Sequence, residues 1–231
     1  MKGRRFYKTV SVTEDLAIAL DGRPVKTPMK QSLRLPLPAL AHAVAAEWDA
    51  QGDKIDPSSM QMTRLANTAI DRVAAHRPAI LSEMRDYAGS DLVCYRAAEP
   101  ATLVERQSAA WDPVIDWTAA ELGQPVSIWA GVMHRPQPAA TLDAAAQWFG
   151  ALSDFETAAF HAIMTLTGSA FLTMMLTRRA LSPDEAWHAA HVDEDFQIEA
   201  WGQDDEAAER RLKRHAEFQS CCRFLLLAAA N

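Results

Sequence analysis

Leu16-Ala17-Ile18-Ala19-Leu20-Asp21-Gly22-Arg23-Pro24-Val25-Lys26-Thr27 decides how the chain begins. Leu16, Ile18 and Leu20 alternate with Ala17 and Ala19, the period of a strand. Asp21-Gly22 then supplies a two-residue hairpin turn before residues 23–27. Upstream, Phe6, Lys8, Val10 and Val12 alternate with Tyr7, Thr9 and Ser11, and residues 32–35 offer a further short strand ended by Pro36. This is an antiparallel meander. Strands so few and short cannot close on themselves, so they must lay one face on helices.

The periodicity changes after Pro36. Helices are predicted over 38–51, with Gly52 as a stop, over 62–76 and over 78–88. The run Leu92-Val93-Cys94-Tyr95 reads equally as a buried strand or a turn of helix. From Glu99 the pattern is helical. Residues 102–122 carry apolar side chains at helical spacing, with Pro113 expected to kink or divide them, and 125–132 is extended around Trp129. Residues 141–152 are Ala-rich and helical. Ser153-Asp154-Phe155-Glu156 and Ser182-Pro183-Asp184-Glu185 are capping boxes that mark helix starts. Gly202 reads as a stop, and 205–228 is a final helix with Leu212, His215, Phe218, Cys222 and Leu225 on one stripe. The fold class is α+β: a small N-terminal antiparallel β meander with helices, followed by an all-helical C-terminal domain. The expected domains are 1–90 and 91–231, divided by a change of periodicity without a flexible linker.

Composition narrows the function. The chain has 231 residues, 49% of them hydrophobic and 23% charged, as in an ordinary globular protein. A formal charge of −7 argues against nucleic acid or an anionic membrane as partner, since both require clustered cations. Cys94, Cys221 and Cys222 form neither a disulfide framework nor a metal-ligand spacing, which fits a reduced compartment. The basic N-terminus lacks the apolar core of a signal peptide, so a cytoplasmic location is expected. The uncharged run 158–176 has the length of a spanning helix. Its His161, Gly168, Ser169 and threonines favour instead a helix buried all round within a helical domain.

Catalytic motifs are sparse. Gly-x-Gly, Gly-Lys-Ser/Thr and Gly-x-Ser-x-Gly are absent, which speaks against a phosphate-cradling loop and a nucleophile elbow. His188, His191, Asp193, Glu194 and Asp195 form the one tempting cluster: imidazole and carboxylate ligands could hold a divalent ion and support a metal-dependent hydrolase. The alternative is a solvated helix end whose acids favour the next helix N-terminus. Among seven tryptophans, Trp48 and Trp201 are flanked by polar residues, as partner anchors often are. The rest are expected in the core.

Several separated blocks carry a family likeness: Arg5-Phe6-Tyr7, residues 20–28, Glu47-Trp48-Asp49, residues 63–71, residues 91–96, Gln107, Trp111-Asp112-Pro113, and residues 193–202 with Phe196-Gln197-Ile198-Glu199 before Trp201-Gly202. In this order they resemble the ATP synthase assembly factor two family, chaperones for the alpha subunit of the F-type ATP synthase catalytic head. The resemblance implies a mixed N-terminal domain, a helical C-terminal domain, no enzyme activity, no cofactor, and a protein client. The client would be the alpha subunit, held until the beta subunit replaces the chaperone. Without the N-terminal extension of eukaryotic members, the chain reads as bacterial; a eukaryotic relative would work in the mitochondrial matrix. A monomer without membrane insertion is expected.

Thr63, Asn67 and Asp71 fall four apart and share a helical face, as do Gln197 and Trp201. These faces, with Trp48 and Glu199, are the expected client-binding surface, bordering a concavity between the domains. Competing readings are the hydrolase using His188, His191, Asp193 and Asp195, and a permanent scaffold subunit.

Overall fold

The computed structural model describes residues 3–131 and 133–229. They form two compact units. One comprises the chain through Arg77 with Leu152–Phe160 and the residues from Ser220; the other comprises Pro78–Ala151 with His161–Gln219.

In the first unit, β1 (Val10–Val12), β2 (Ile18–Leu20) and β3 (Arg23–Pro24) make an antiparallel sheet in the order β1-β2-β3. Asp21 and Gly22 both have positive φ, 49° and 76°, as a tight two-residue hairpin turn requires. The Asp21 carboxylate accepts from the Lys8 and Thr9 amides, which hold its carboxyl below the usual range. Two details differ from the alternation. Phe6 is 75% exposed while Tyr7 is buried, because the ladder starts only at Val10. Ala17 and Ala19 are as buried as Ile18. The strand is covered on both faces, and a methyl group is too small to register as an apolar stripe.

Helix α1 (Pro38–Asp49) starts with proline at its first position, where the missing N–H costs nothing, and packs Leu40, Ala41 and Val44 against β1 and β2. Helix α2 (Gln61–Thr68) runs into a π turn, Ala69–Val73. Helix α3 (Ala74–Ala88) leaves helical geometry at His76, two residues before Pro78, so the expected break lies there.

In the second unit, a 3-10 turn at Leu92–Cys94 leads into β4 (Tyr95–Arg96), which pairs in parallel with β5 (Trp129–Ala130). This short pair interrupts an otherwise helical fold. Helix α4 (Ala101–Leu122) is the spine. It packs against α5 (Ala139–Gly150), α7 (Ala170–Thr177), α8 (Pro183–Ala190) and α9 (Val192–Trp201). Pro113 does not divide α4. Pro113 and Ala109, the residue whose carbonyl loses its donor, both face solvent, where water can replace the bond.

The uncharged run is likewise two helices rather than one. Helix α6 (Asp154–Thr167) stops at Gly168, whose φ is 74°, and Ser169 caps α7 by accepting from the Leu172 amide. Residues Ala170–Leu176 are all buried. The fully buried Asp91 carboxylate accepts from the Phe171 amide at 3.0 Å and the Val93 amide at 3.2 Å, so it serves two helical N-termini. Among the described residues no helix is long and apolar enough to cross a membrane. Both capping boxes form, Ser153 with Glu156 and Ser182 with Glu185. Helix α10 (Asp205–Ala228) buries Phe218, Cys222 and Leu225, whereas Leu212, expected on that stripe, is 70% exposed.

Two predictions follow from the α6–α7 junction. Gly168→Ala meets its nearest neighbour, Leu92, at 3.7 Å, an ordinary contact, so only the left-handed backbone is strained. It should lower stability by about 1–2 kcal/mol in urea unfolding. Burial raises the Asp91 carboxyl to about 6. The native state therefore holds a proton that the unfolded chain has released, and the associated stability is lost as pH rises from about 4 to about 6. Relative to Asp91→Asn, the unmodified protein should lose stability across that window and then hold a constant difference up to pH 8, as read by denaturant melts.

Candidate functional site

Each unit gathers its own share of the expected surface residues. In the first, the Glu47 carboxylate caps α2: it accepts from the Met62 and Thr63 amides at 2.8 Å each, and from the Thr63 hydroxyl at 2.9 Å. Thr63 is therefore buried and committed to this cap. Asp71 accepts from the Thr27 hydroxyl at 2.6 Å and the Met29 amide at 3.0 Å, holding the loop after β3. The π turn at Ala69–Val73 interrupts the regular four-residue spacing that would set Thr63, Asn67 and Asp71 on one face. Asn67 Oδ1 and Trp48 Nε1 are buried without a hydrogen-bond partner among the described residues. The Trp48 carbonyl accepts from the Tyr7 hydroxyl at 2.6 Å, and the two rings meet edge to face. Phe6, Tyr7 and Trp48 line a groove of about 580 Å³ beside Arg23, Pro24 and Lys26.

In the second unit the sequence blocks converge on a lattice around α4. Arg96 donates to the Gln107 carbonyl at 2.9 Å, pairs with Asp112 at 2.9 Å, and lies over the Trp111 ring. The Gln107 side chain accepts from the Ala97 amide and donates to Asp193, both at 2.7 Å. The Trp111 indole donates to the Ala189 carbonyl at 2.7 Å. These contacts anchor the start of α9 on α4.

Helix α9 has no fully buried residue, although Phe196, Ile198 and Trp201 lie on it. Trp201 is 77% exposed. With Gln197, Phe196 and Leu103 it lines a cavity of about 590 Å³. Gly202 ends the helix, its amide donating to the Ile198 carbonyl. Glu199 points elsewhere: Arg106 of α4 pairs with it at 2.6 Å and stands over the Phe196 ring at 5.3 Å. The hydrogen bond from Arg106 holds the Glu199 carboxyl below the usual range. Helical geometry correctly separates Glu199 from the face shared by Gln197 and Trp201. The sequence carries no signal for the Arg106 contacts to Glu199 and Phe196, because no local spacing links position 106 to 196 or 199.

The metal-site alternative is corrected. His191 is buried, its Nδ1–H donating to the Trp187 carbonyl at 2.7 Å, and burial lowers its pKa. His188 is exposed, Asp193 bonds Gln107, and Asp195 pairs with Arg211. Glu194 lies 3.9 Å from His191 and 3.8 Å from Arg211, and no cluster of three or more such side chains among the described residues could hold an ion. Burial raises the Cys222 thiol to about 12, and Cys94 is also raised, so neither is a ready nucleophile.

A test of the first-unit assignment is Glu47→Ala. It removes the α2 cap and should lower stability by about 1–2 kcal/mol in thermal melts. Glu47→Gln, which keeps an acceptor, should lose less.

Residues 4–119 match the family described as ATP12 chaperone protein. The protein named atp12, mitochondrial, of Schizosaccharomyces pombe is 24% identical over 221 residues, covering 89% of this chain and 76% of that protein. Atp12 of Paracoccus denitrificans is 40% identical, with a TM-score of 0.92 over 98% of this chain and 99% of that one. A point mutant of the same protein gives the same identity and TM-score, over 98% of both chains.

Proposed function

Because the chain belongs to the ATP12 chaperone family, non-enzymatic factors for F1-ATPase assembly, we propose that its client is the unassembled alpha subunit of the catalytic head. It shields the alpha subunit's interface until the beta subunit takes its place, and it works as a cytoplasmic monomer. An unassembled subunit exposes apolar surface that otherwise aggregates. A binding partner lowers the free concentration of that surface.

The observation that carries the client site is α9: a helix with no buried residue that presents Trp201 at 77% exposure beside an apolar cavity. Exposed aromatic residues of this kind serve as anchors in protein interfaces. Gln197 shares the Trp201 face, and Glu199 holds Arg106 over Phe196 at the cavity wall. Trp48, Thr63, Asn67 and Asp71 form the first unit's part of the client surface, with Thr63 and Asp71 shaping it through their bonds to Glu47 and to the loop after β3.

Capture of purified alpha subunit tests the reading. Trp201→Ala should weaken capture by about tenfold or more with an unchanged melting temperature. Glu199→Lys sets two cations together and should also weaken capture, with little effect on melting because exposed pairs contribute about 0–1 kcal/mol. The swap Arg106→Glu with Glu199→Arg restores the pair and should recover capture. Full capture by Trp201→Ala would remove α9 from the client site. Failure of the swap to rescue would mean that Glu199 meets the client directly.

A further inference from the structure

The first unit carries a second, chemically different surface. Residues 1–35 contain eight Lys and Arg against three Asp and Glu, whereas the whole chain has 23 against 30. The cationic excess is thus concentrated in a minor part of an acidic protein. Structure gives it a shape. The groove of about 580 Å³ beside the β2–β3 hairpin is lined by Phe6, Tyr7 and Trp48 together with Arg23, Pro24 and Lys26.

Arg23 and Lys26 are exposed, and neither meets a carboxylate at ion-pair distance among the described residues. Asp21, the acid lining the groove, is occupied by the Lys8 and Thr9 amides at 3.0 and 2.9 Å. Asp21 keeps its negative charge, so Arg23 and Lys26 leave the mouth cationic by one charge, with the carboxylate held back against the Lys8 and Thr9 amides. Phe6 stands 75% exposed, with its ring 5.4 Å from Tyr7, and Tyr7 lies 5.9 Å from Trp48. The buried Trp48 indole N–H has no acceptor among the described residues.

We propose that this groove binds an extended acidic peptide segment bearing aromatic or aliphatic side chains. Arg23 and Lys26 would pair with its carboxylates, and Phe6 and Pro24 would cover its apolar side chains. Charge complementarity selects the partner: an acidic segment meets two unpaired cations, whereas a basic one meets repulsion. Interleaved aromatic surface favours a peptide over a bare polyanion, because apolar contact supplies what screened charge cannot. The groove shares Trp48 with the first unit's part of the client surface but none of the α9 residues, and a test on Arg23, Lys26 and Phe6 alone separates its failure from that of the α9 client site.

The test is fluorescence anisotropy of the full chain with three labelled probes: a short peptide alternating Glu with Phe and Leu, its Lys counterpart, and a single-stranded oligonucleotide. The acidic peptide should bind, and added salt should weaken it. The double variant Arg23→Glu, Lys26→Glu should bind it about tenfold or more weakly, since each reversed charge replaces an attraction by a repulsion. Phe6→Ser, at a position 75% exposed, should also weaken binding with its melting temperature little changed. Equal binding of the Lys peptide, or unchanged binding by the charge-reversed variant with its melting temperature intact, would overturn the proposal. Tighter binding of the oligonucleotide would overturn it in favour of a nucleic-acid surface.

Discussion

A helix buried on every side has no water to satisfy its first amide groups. Helix α7 is such a helix, and the arrangement around it depends on meeting that constraint. Ser169 takes one amide, Asp91 takes another, and the Asp91 carboxylate also holds the turn at Leu92–Cys94. The Leu92 amide in turn donates to the Gly168 carbonyl. The chain end of α6, the start of α7 and the entry to β4 are thereby fixed by one buried anion and its neighbours. From β4 the lattice continues through Arg96 and Gln107 to Asp193, so the position of α9 is set by bonds that begin at the core.

The first unit uses the same physical device in a less buried setting. A carboxylate from α1, Glu47, completes the N-terminus of α2. Asp71 returns the favour to the loop after β3. In both units, then, residues that look like functional polar stripes in the sequence turn out to include caps. Acids accept backbone amides across long chain separations, and the side chains left unpaired stand out by contrast. Trp201 is the clearest of these in the second unit, and Phe6 in the first.

What the chain reveals in one dimension is what is decided locally. Asp21-Gly22, the two capping boxes and the Gly202 stop are each settled within four residues, and all of them form as read. Pro113 misleads because proline's effect depends on whether the orphaned carbonyl can reach water, which sequence does not state. The 158–176 run misleads because Gly168 and Ser169 are tolerated inside a helix as well as between two. Leu212 fits the apolar stripe of α10, yet it is 70% exposed, since a stripe's spacing does not say how far along the helix its covering elements reach. Pairing of Arg106 with Glu199, and of Asp91 with Phe171, requires tertiary proximity and leaves no periodic trace. Trp201 was legible as a candidate anchor from its polar flanks, while its degree of exposure was not.

The exposed large apolar side chains have a colloidal consequence. Trp201, Phe6, Leu212 and Met29 stand at 77, 75, 70 and 68% exposure. A molecule displaying such groups risks sticking to its own copies as readily as to a client. The net charge of −7 opposes this by mutual repulsion. That repulsion reaches only about 8–10 Å at ordinary ionic strength. It therefore slows encounters between like-charged copies while leaving short-range apolar contact intact for a partner whose charge does not resist approach. Solubility and stickiness are held in the same chain by acting at different distances.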